Sequence, residues 1–320
     1  MPSTVLAPVV LFVYNRPQHT AQCLAALASN DLAEKTNLII YADGIKKDSD
    51  APKVAEVRKL IRQNFPFQSI KIIESIENKG LMQSIIDGVT EVIGQYGKVI
   101  VLEDDLICAK GFLRYMNDAL DLYENEPHVM HISGYMFPVF KKLPETLFYQ
   151  STSCWSWATW KNRWQYFNPD AQDLYNKLQE SGKMYGFDLD GSNQLKPQLE
   201  MNIQNKRHTW AVKWEASVYL RGGLCLHPGK SLVRNIGHEG SGSSFDYSGI
   251  LATQALTDYI KVEKIPLKQN LTLRNRMKLY YALDGNISKK RIFYYYLKKY
   301  TFHLLPNTWK NSIKQFQKNK

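Results

Sequence analysis

The chain of 320 residues has only four cysteines, Cys23, Cys108, Cys154 and Cys225. No two of them have CxxC or metal-ligand spacing, which argues against a disulfide framework or a zinc site and fits a reducing cytosol. Long apolar runs are also missing. The opening MPSTVLAPVVLFVYNRP has no basic leader, and its apolar stretch stops after about ten residues at Asn15 and Arg16, too short to cross a membrane and wrongly flanked for a secretory signal. It reads as a first core strand. The segment after that strand is YNRPQHT, not GxGxxG, and no GxxxxGK[ST] follows any strand. Phosphate binding by a glycine-rich backbone loop of either kind is thereby excluded. No internal repeat or low-complexity segment is visible.

What is present is enough apolar material for a large core, 44% of the chain. Charge is distributed unevenly. From Lys261 to Lys320 there are 15 Lys and Arg against Glu263 and Asp284, so the tail carries +13 of the net +11 and leaves about −2 for the rest. Within it, KKRIFYYYLKKYTFHLL interleaves aromatic and cationic residues. That composition suits a segment lying on an anionic membrane surface, where each Lys or Arg contributes roughly 1 kcal/mol. Two other readings stay open: a helix packing its aromatics on the main domain and, least favoured, a nucleic-acid contact.

The first 135 residues alternate regularly. Pro8 to Tyr14, Asn37 to Asp43, Ile70 to Ser75 and Lys98 to Asp104 are short and β-branched, with the near-continuous apolar character of strands buried on both faces. Helical patterns separate them: Pro17 to Ser29 with Pro in its first turn, Ala51 to Asn64 with Asp50 as cap, and amphipathic Leu81 to Gln95. Helix-length crossovers imply right-handed βαβ units and a mostly parallel sheet, with ligands at the strands' C-terminal ends. Three of those ends are polar: Asn15-Arg16, Asp43-Gly44 and Glu103-Asp104-Asp105.

The second half differs in texture. SCWSWATWKNRWQYF places four of seven tryptophans within ten residues, HTWAVKWEASVYLRGG adds two more, and NIGHEGSGSSF opens a glycine- and serine-rich loop.

A carboxylate cluster at a strand end suits a hard cation: Mg²⁺ or Mn²⁺ takes one or two carboxylates and completes its shell with water and phosphate oxygens. Taken alone, Glu103-Asp104-Asp105 equally suits the cap of a helix starting near Lys110. The layout is similar to that of sugar-phosphate nucleotidyltransferases, but their glycine-rich, Arg-containing loop after the first strand is absent. YNR after the first strand, Asp at the end of the second, and EDDLICAKGFLRYM after VIVL more closely resemble glycosyltransferase-A fold enzymes. Within that fold the likeness is to the branch related to N-acetylglucosaminyltransferase I, together with bacterial surface-glycan transferases. It covers about Pro8 to Phe245 and leaves the basic tail unexplained.

The resemblance implies a Rossmann-like α/β fold with a helical basic C-terminal extension. It divides the chain into a donor-binding half (1–136), an acceptor-binding and catalytic half (137–260) and the extension (261–320). It implies Mn²⁺ or Mg²⁺ on Asp105, with Glu103 and Asp104 toward the ribose and the groups behind the ion. Arg16 would meet the pyrophosphate or base, and Asp43 the uracil N3–H of a UDP-sugar. Lys79, with Asn78 and Gly80, would shape the donor pocket. Ordinary alternatives stay open, an ion pair for Arg16 and a simple turn for Asp43-Gly44. Relatives carry a catalytic base in a Trp-Asp-Asp or Glu-Asp element; here Trp214-Glu215 is followed by Ala216, leaving Glu215 as the candidate beside the plain reading of a solvent-facing Glu at a helix start. His238, in the loop expected to close over the donor, touches the diphosphate or is structural. Trp155 and Trp157 are candidates for stacking on acceptor sugars, although at least two tryptophans of the cluster are expected in the core.

The implied activity is inverting, metal-dependent transfer from a UDP-sugar to a glycan or polyprenyl-diphosphate-linked acceptor in bacterial surface-polysaccharide synthesis. The expected place is the cytoplasm, with the tail on the inner membrane face. The rival expectation is a non-catalytic basic protein that binds membrane or nucleic acid on a degenerate nucleotide-binding fold.

Overall fold

The computed structural model describes residues 5–139, 142–237, 254–283 and 293. Its first half opens with three βα steps and a fourth strand: β1 (Val9–Val13), α1 (Pro17–Ala28), β2 (Asn37–Ala42), α2 (Ala51–Leu60), β3 (Ser69–Glu74), α3 (Gly80–Tyr96) and β4 (Lys98–Glu103). After the carboxylates come a short strand, β5 (Leu106–Cys108), and α4 (Phe112–Leu122). The second half contains β6 (Val129–Ser133), β7 (Thr146–Tyr149), β8 (Trp157–Trp160), α5 (Lys161–Trp164), α6 (Ala171–Glu180), α7 (Met184–Phe187), α8 (Leu195–Ile203), α9 (Ala211–Leu220), β9 (Leu224–Pro228), β10 (Val233–Asn235) and α10 (Leu271–Ala282).

Eight strands form one sheet in the order β3-β2-β1-β4-β8-β6-β9-β7, and β10 pairs with β5 in a separate two-stranded sheet. The expectation of a mostly parallel sheet holds for β3-β2-β1-β4, whose pairings are all parallel. Beyond β4 it is mixed. β8 inserts antiparallel between β4 and β6, and β7 closes the edge antiparallel to β9. No helix crossover joins β7 to β8 in sequence, so the geometric demand for parallel pairing is absent there.

Period-2 alternation divides the core. Val9, Leu11, Leu38, Ile40, Ile100 and Leu102 face the layer containing α1, α2 and α4. Val10, Phe12, Ile39, Val99 and Val101 face α3 and α9. Because both faces are covered, the strands read as continuous apolar runs. Gly97, in the left-handed conformation, ends α3 and turns the chain directly into β4.

The segment from residue 254 to α10, most of which falls in the expected extension, is a strap on the main body. Gly111 donates to Asp258 O, the Tyr123 hydroxyl donates to Glu263 O and accepts from Ile265 N, and Asn270 donates to Phe148 O. Arg274 and Lys278 of α10 then grip Asp190, and Leu273, Met277 and Tyr280 bury their apolar surface against Met136, Leu147 and Tyr149. Of the strongly basic stretch from Lys289 onward, on which the membrane reading depends, only Phe293 is among the described residues. Among the described residues no helix is long and apolar enough to cross a membrane.

Candidate active site

All four parallel strands point their C-terminal ends the same way, so Arg16, Asp43, the turn at residues 75–80 and Glu103-Asp104-Asp105 collect on one edge, as the sequence pattern predicts. Each side chain is then placed by its local structure. Tyr14 donates its hydroxyl proton to Asp50 and Asn15 donates its amide to the same carboxylate, which is why Asp50 makes no capping bond to α2 despite occupying the cap position. Of the YNR triplet, Arg16 is the residue that meets the carboxylates of β4. It stands at the N-cap of α1, with Nη1 2.9 Å from Asp105 Oδ2 and 3.8 Å from Asp104 Oδ1.

The three carboxylates do not cap a helix. β5 separates them from α4, whose N-cap is Gly111 and has no side-chain cap. They are instead a concentrated negative charge. Burial pushes Asp104 up to about 7, with the charge of Asp105 adding and Arg16 opposing. The Glu103 carboxyl is driven well up by burial and by its two aspartate neighbours. Burial is the leading cause of both shifts, and added positive charge would oppose them. A divalent cation would supply such charge, and the oxygen-only donor set suits Mg²⁺ or Mn²⁺. Among the described residues no group of three or more His, Cys, Asp or Glu is arranged to hold a metal. An ion bound here would have no more than one or two of these carboxylates as ligands and would need ligand oxygens to complete its shell.

The other wall of the site comes from the strand ahead of the NIGHEGSGSSF loop, and its contact with Asp105 is not visible in the sequence pattern. β10 pairs antiparallel with β5 (Asn235 with Leu106), and Ile236 N then donates to Asp105 O at 2.9 Å. The chain passes so close at Gly237 that a Cβ there would lie 2.3 Å from Asp105 Oδ2. Only glycine fits. The signal available was NIG directly ahead of the glycine- and serine-rich segment. His238 follows immediately and lies outside the described residues.

Asp43 has a clear structural task. Oδ1 accepts from Gly44 N and Lys79 N, and Oδ2 accepts from Asn78 Nδ2 and Gly80 N, all at 2.8 to 3.0 Å. Four donors fill the four lone-pair positions of the carboxylate. The charge caps the first turn of α3, where the helix dipole favours it. Gly44 is not an ordinary turn glycine either: a Cβ there would meet Glu77 backbone carbon at 2.3 Å, so it allows the residue 77–80 turn to dock. Lys79 itself points outward to Asp87 at 3.1 Å.

In the second half, Glu215 is in the interior of α9, not at a helix start, and is 4% exposed, so it is no solvent-facing residue. Its Oε2 accepts both the backbone N–H and the hydroxyl of Thr152. Burial pushes its carboxyl up to about 7 against the pull of those bonds and of Ser151. It lines a narrow cavity with Tyr149, Ser151, Asn193, Tyr219 and Arg274. Thr152 belongs to the loop from β7 to β8, which also carries Cys154 and Trp155. The Cys154 thiol is raised by burial and by the charges of Glu103, Asp105 and Glu215, so this loop runs within electrostatic reach of both acidic groups.

The two acceptor-side tryptophans separate. Trp157 is 0% exposed, on β8, packed on Trp210 at 5.1 Å and on Trp164 at 5.6 Å. It is core and has no face free for a sugar. Trp155 is half-buried, edge-on to Tyr135 at 4.5 Å, in the loop beside the carboxylates. Ser156 between them has φ 61°, a left-handed conformation that turns the chain from the site into β8.

Residues 9–188 match the family described as Glycosyl transferase family 2. No curated protein sequence matches the chain. Among solved structures, that of TarS from S. aureus has 17% identity over 44% of this chain and 24% of its own, with a TM-score of 0.31. The mannosyltransferase PcManGT from Pyrobaculum calidifontis, in complex with GDP-Man and Mn²⁺, has 10% identity over 68% of each chain and a TM-score of 0.38. The chain thus spans about a quarter of the length of TarS. Glu215, β9 and β10 lie beyond the matched family region, whereas Arg16, Asp43 and Glu103 to Asp105 lie within it. With more than half of its residues covered by that match, including the strands that converge on Arg16 and the three carboxylates, the chain belongs to glycosyl transferase family 2 and has the glycosyltransferase-A fold.

Proposed function

We propose that the chain is a metal-dependent, inverting glycosyltransferase that moves a hexosyl or N-acetylhexosaminyl group from a UDP-sugar to a hydroxyl of a glycan or polyprenyl-diphosphate-linked acceptor. The observation that carries this reading is the joining of Arg16 to Asp104 and Asp105 at the C-terminal edge of the parallel sheet, in a family 2 chain. Asp105, with Asp104 beside it, would hold Mn²⁺ or Mg²⁺. When bound, such an ion neutralises charge growing on the departing diphosphate. Arg16 presents a planar fork that matches phosphate oxygens, and Glu103 and Asp104 face the ribose side of the site.

Glu215 is the proposed base, supported by a carboxyl poised at about 7, near the pH at which proton abstraction from a hydroxyl is most effective. To act, it must release Thr152, so the base role requires the β7–β8 loop to shift when the acceptor arrives. Trp155, half-buried on that loop, is the candidate surface for an acceptor ring. His238, one residue after Gly237 in sequence, is the proposed contact to the diphosphate or to the ligands around the ion.

The basic aromatic tail supports an acceptor presented at an anionic bilayer, hence a cytoplasmic enzyme that binds the membrane peripherally and serves surface-polysaccharide synthesis. Nucleic acid is the weaker partner for the tail. Cutting after Ile287 tests this: the shortened protein should no longer sediment with anionic liposomes, and undiminished binding would refute the membrane role. For the activity, a screen of UDP-, GDP- and dTDP-sugars for Mn²⁺-dependent hydrolysis should give a UDP-sugar hit that Asp105→Ala abolishes. Hydrolysis and nucleotide binding indifferent to that substitution would favour the non-catalytic alternative.

A further inference from the structure

Lys213 stands in the first turn of α9 and is 8% exposed. Among the described residues its ammonium has one hydrogen-bond partner, the Met82 sulfur at 3.5 Å. A thioether is a weak acceptor, and a lysine this enclosed is ordinarily paired. Burial holds the amine below its ordinary range, and the charge that opposes this shift is Asp170, which already caps α6 through Gln172 N and Asp173 N. The surroundings add positive charge. Met82 is in the first turn of α3, so the ammonium lies at the N-terminal ends of two helices, of 17 and 10 residues. Each end carries partial positive charge from N–H groups that no helical carbonyl accepts. Asp43 answers that of α3 through Lys79 N and Gly80 N. α9 has no such answer: its N-cap Trp210 makes no side-chain bond and its first turn contains no acid. The place belongs to the edge that gathers the carboxylates. α3 follows the turn docked on Asp43. β9 is parallel to β6, and β6 and β4 flank β8 antiparallel, so β9 runs the same way as β4. α9 reverses into β9 over three residues, and therefore starts where the parallel strands end.

We propose that the first turns of α3 and α9 form an oxyanion subsite centred on Lys213, which takes a phosphate or carboxylate group of the acceptor. This rests on the proposed function only in naming the acceptor: α9 lies in the half of the chain assigned to it, whereas Arg16 and Asp105 are assigned the donor. An arriving oxyanion pairs the enclosed ammonium and the uncapped end of α9 together, and no resident carboxylate has to leave. A neutral acceptor leaves both unpaired, so the subsite favours acidic acceptors over neutral ones. Two acceptors of the proposed kind carry such a group: a sugar linked through phosphate to a lipid, and a glycan that contains a uronic acid.

Binding is read beside the ammonium, at the Met82 methyl, by carbon-13 NMR of the full chain labelled in its methionines. Inorganic phosphate should shift the Met82 signal. Lys213→Met keeps the apolar stem and removes an unpaired charge, so it should be no less stable than wild type in urea. It should bind inorganic phosphate about tenfold more weakly, the loss of one charge-assisted hydrogen bond, and Lys213→Arg should restore the binding. Lys177→Met, which removes an equal charge from the exposed face of α6, should bind phosphate as wild type does. If Lys213→Met and Lys177→Met bind phosphate alike, or the Met82 signal ignores phosphate, Lys213 is only a packed stem and the inference is overturned. A short-chain prenyl phosphate and glucuronate separate the two sources: the probe that Lys213→Met weakens is the ligand, and weakening of neither overturns the acceptor assignment. UDP affinity should be the same in Lys213→Met as in wild type. If UDP weakens and neither acceptor probe does, the anion is the donor's own diphosphate and the proposal falls. If UDP binds to no protein of the set, the proposed function fails while a subsite that answers to phosphate through Lys213 stands.

Discussion

The Glu215 carboxylate, in the middle of α9, accepts both the backbone N–H and the hydroxyl of Thr152. One buried side chain thus anchors the loop that carries Cys154 and Trp155. A loop of this kind has little regular hydrogen bonding of its own, so its placement depends on such a side-chain anchor.

The buried Glu215 makes stability pH-dependent. Its folded value of about 7 lies above the ordinary 4.5, so the folded state holds the proton more tightly. This contribution is fully present below about pH 4.5 and is lost as pH rises through 7, a swing of roughly 3 kcal/mol. Glu215→Gln keeps an oxygen for Thr152 and removes the ionisation. In urea titrations at pH 5 and pH 8 it should gain on wild type at the higher pH, and parallel pH trends for the two proteins would contradict the buried-acid account. If Glu215 is also the base, the same variant loses transfer while retaining nucleotide binding.

Asp43→Ala strips acceptors from Gly44 N, Lys79 N, Gly80 N and Asn78 Nδ2 at once. Loss of a helix cap together with orphaned donors should cost about 2 kcal/mol in urea unfolding. Asp43→Asn, which can still accept on one oxygen, should fall between. A variant within about 0.5 kcal/mol of wild type that has nonetheless lost UDP binding would return Asp43 to the uracil role that the family resemblance implies.

The two tryptophans should separate cleanly under substitution. Trp157→Ala empties a fully buried site among Trp164, Trp210 and Trp214 and should cost about 3–5 kcal/mol. Trp155→Ala, half-buried, should cost less and should act on acceptor turnover more than on donor hydrolysis. Thermal unfolding alongside the two assays checks both, and a greater loss of stability at Trp155 would reverse the assignment.

Docking of α10 depends on Asp190, which holds Arg274 bidentately at 2.5 and 2.9 Å and Lys278 at 2.6 Å. Those bonds pull the Asp190 carboxyl down to about 2, so its contribution is intact at neutral pH and is lost only as pH falls from its ordinary 3.8 through 2. The group is partly exposed and screened, worth about 1 kcal/mol at most. Asp190→Asn, or added salt, should therefore speed chymotryptic cleavage at Tyr280 and Tyr281 without lowering global stability. An unchanged cleavage rate would show that Leu273, Met277 and Tyr280 hold the helix by burial alone.

What the sequence determined by itself is local. Apolar runs of strand length, punctuated by Pro17, Pro52 and Gly97, locate four parallel strands and the helices between them, and the polar residues ending those runs locate the edge where the site lies. The tertiary structure decided which partner each of those residues meets. Nothing in the spacing around Asp43 reveals that three of its four lone pairs are filled by a turn some 35 residues away. Nor does the sequence around Asp105 show that Arg16 and Gly237 close on one oxygen. Glu215 reads as a helix-start residue until α9 is seen to begin at Ala211, which buries it. Periodicity records whether a side chain faces core or solvent, because burial alternates with the backbone repeat. Charge pairing and hydrogen-bond saturation depend on contacts between distant segments, and here on strands such as β5 and β10, which pair although more than a hundred residues separate them.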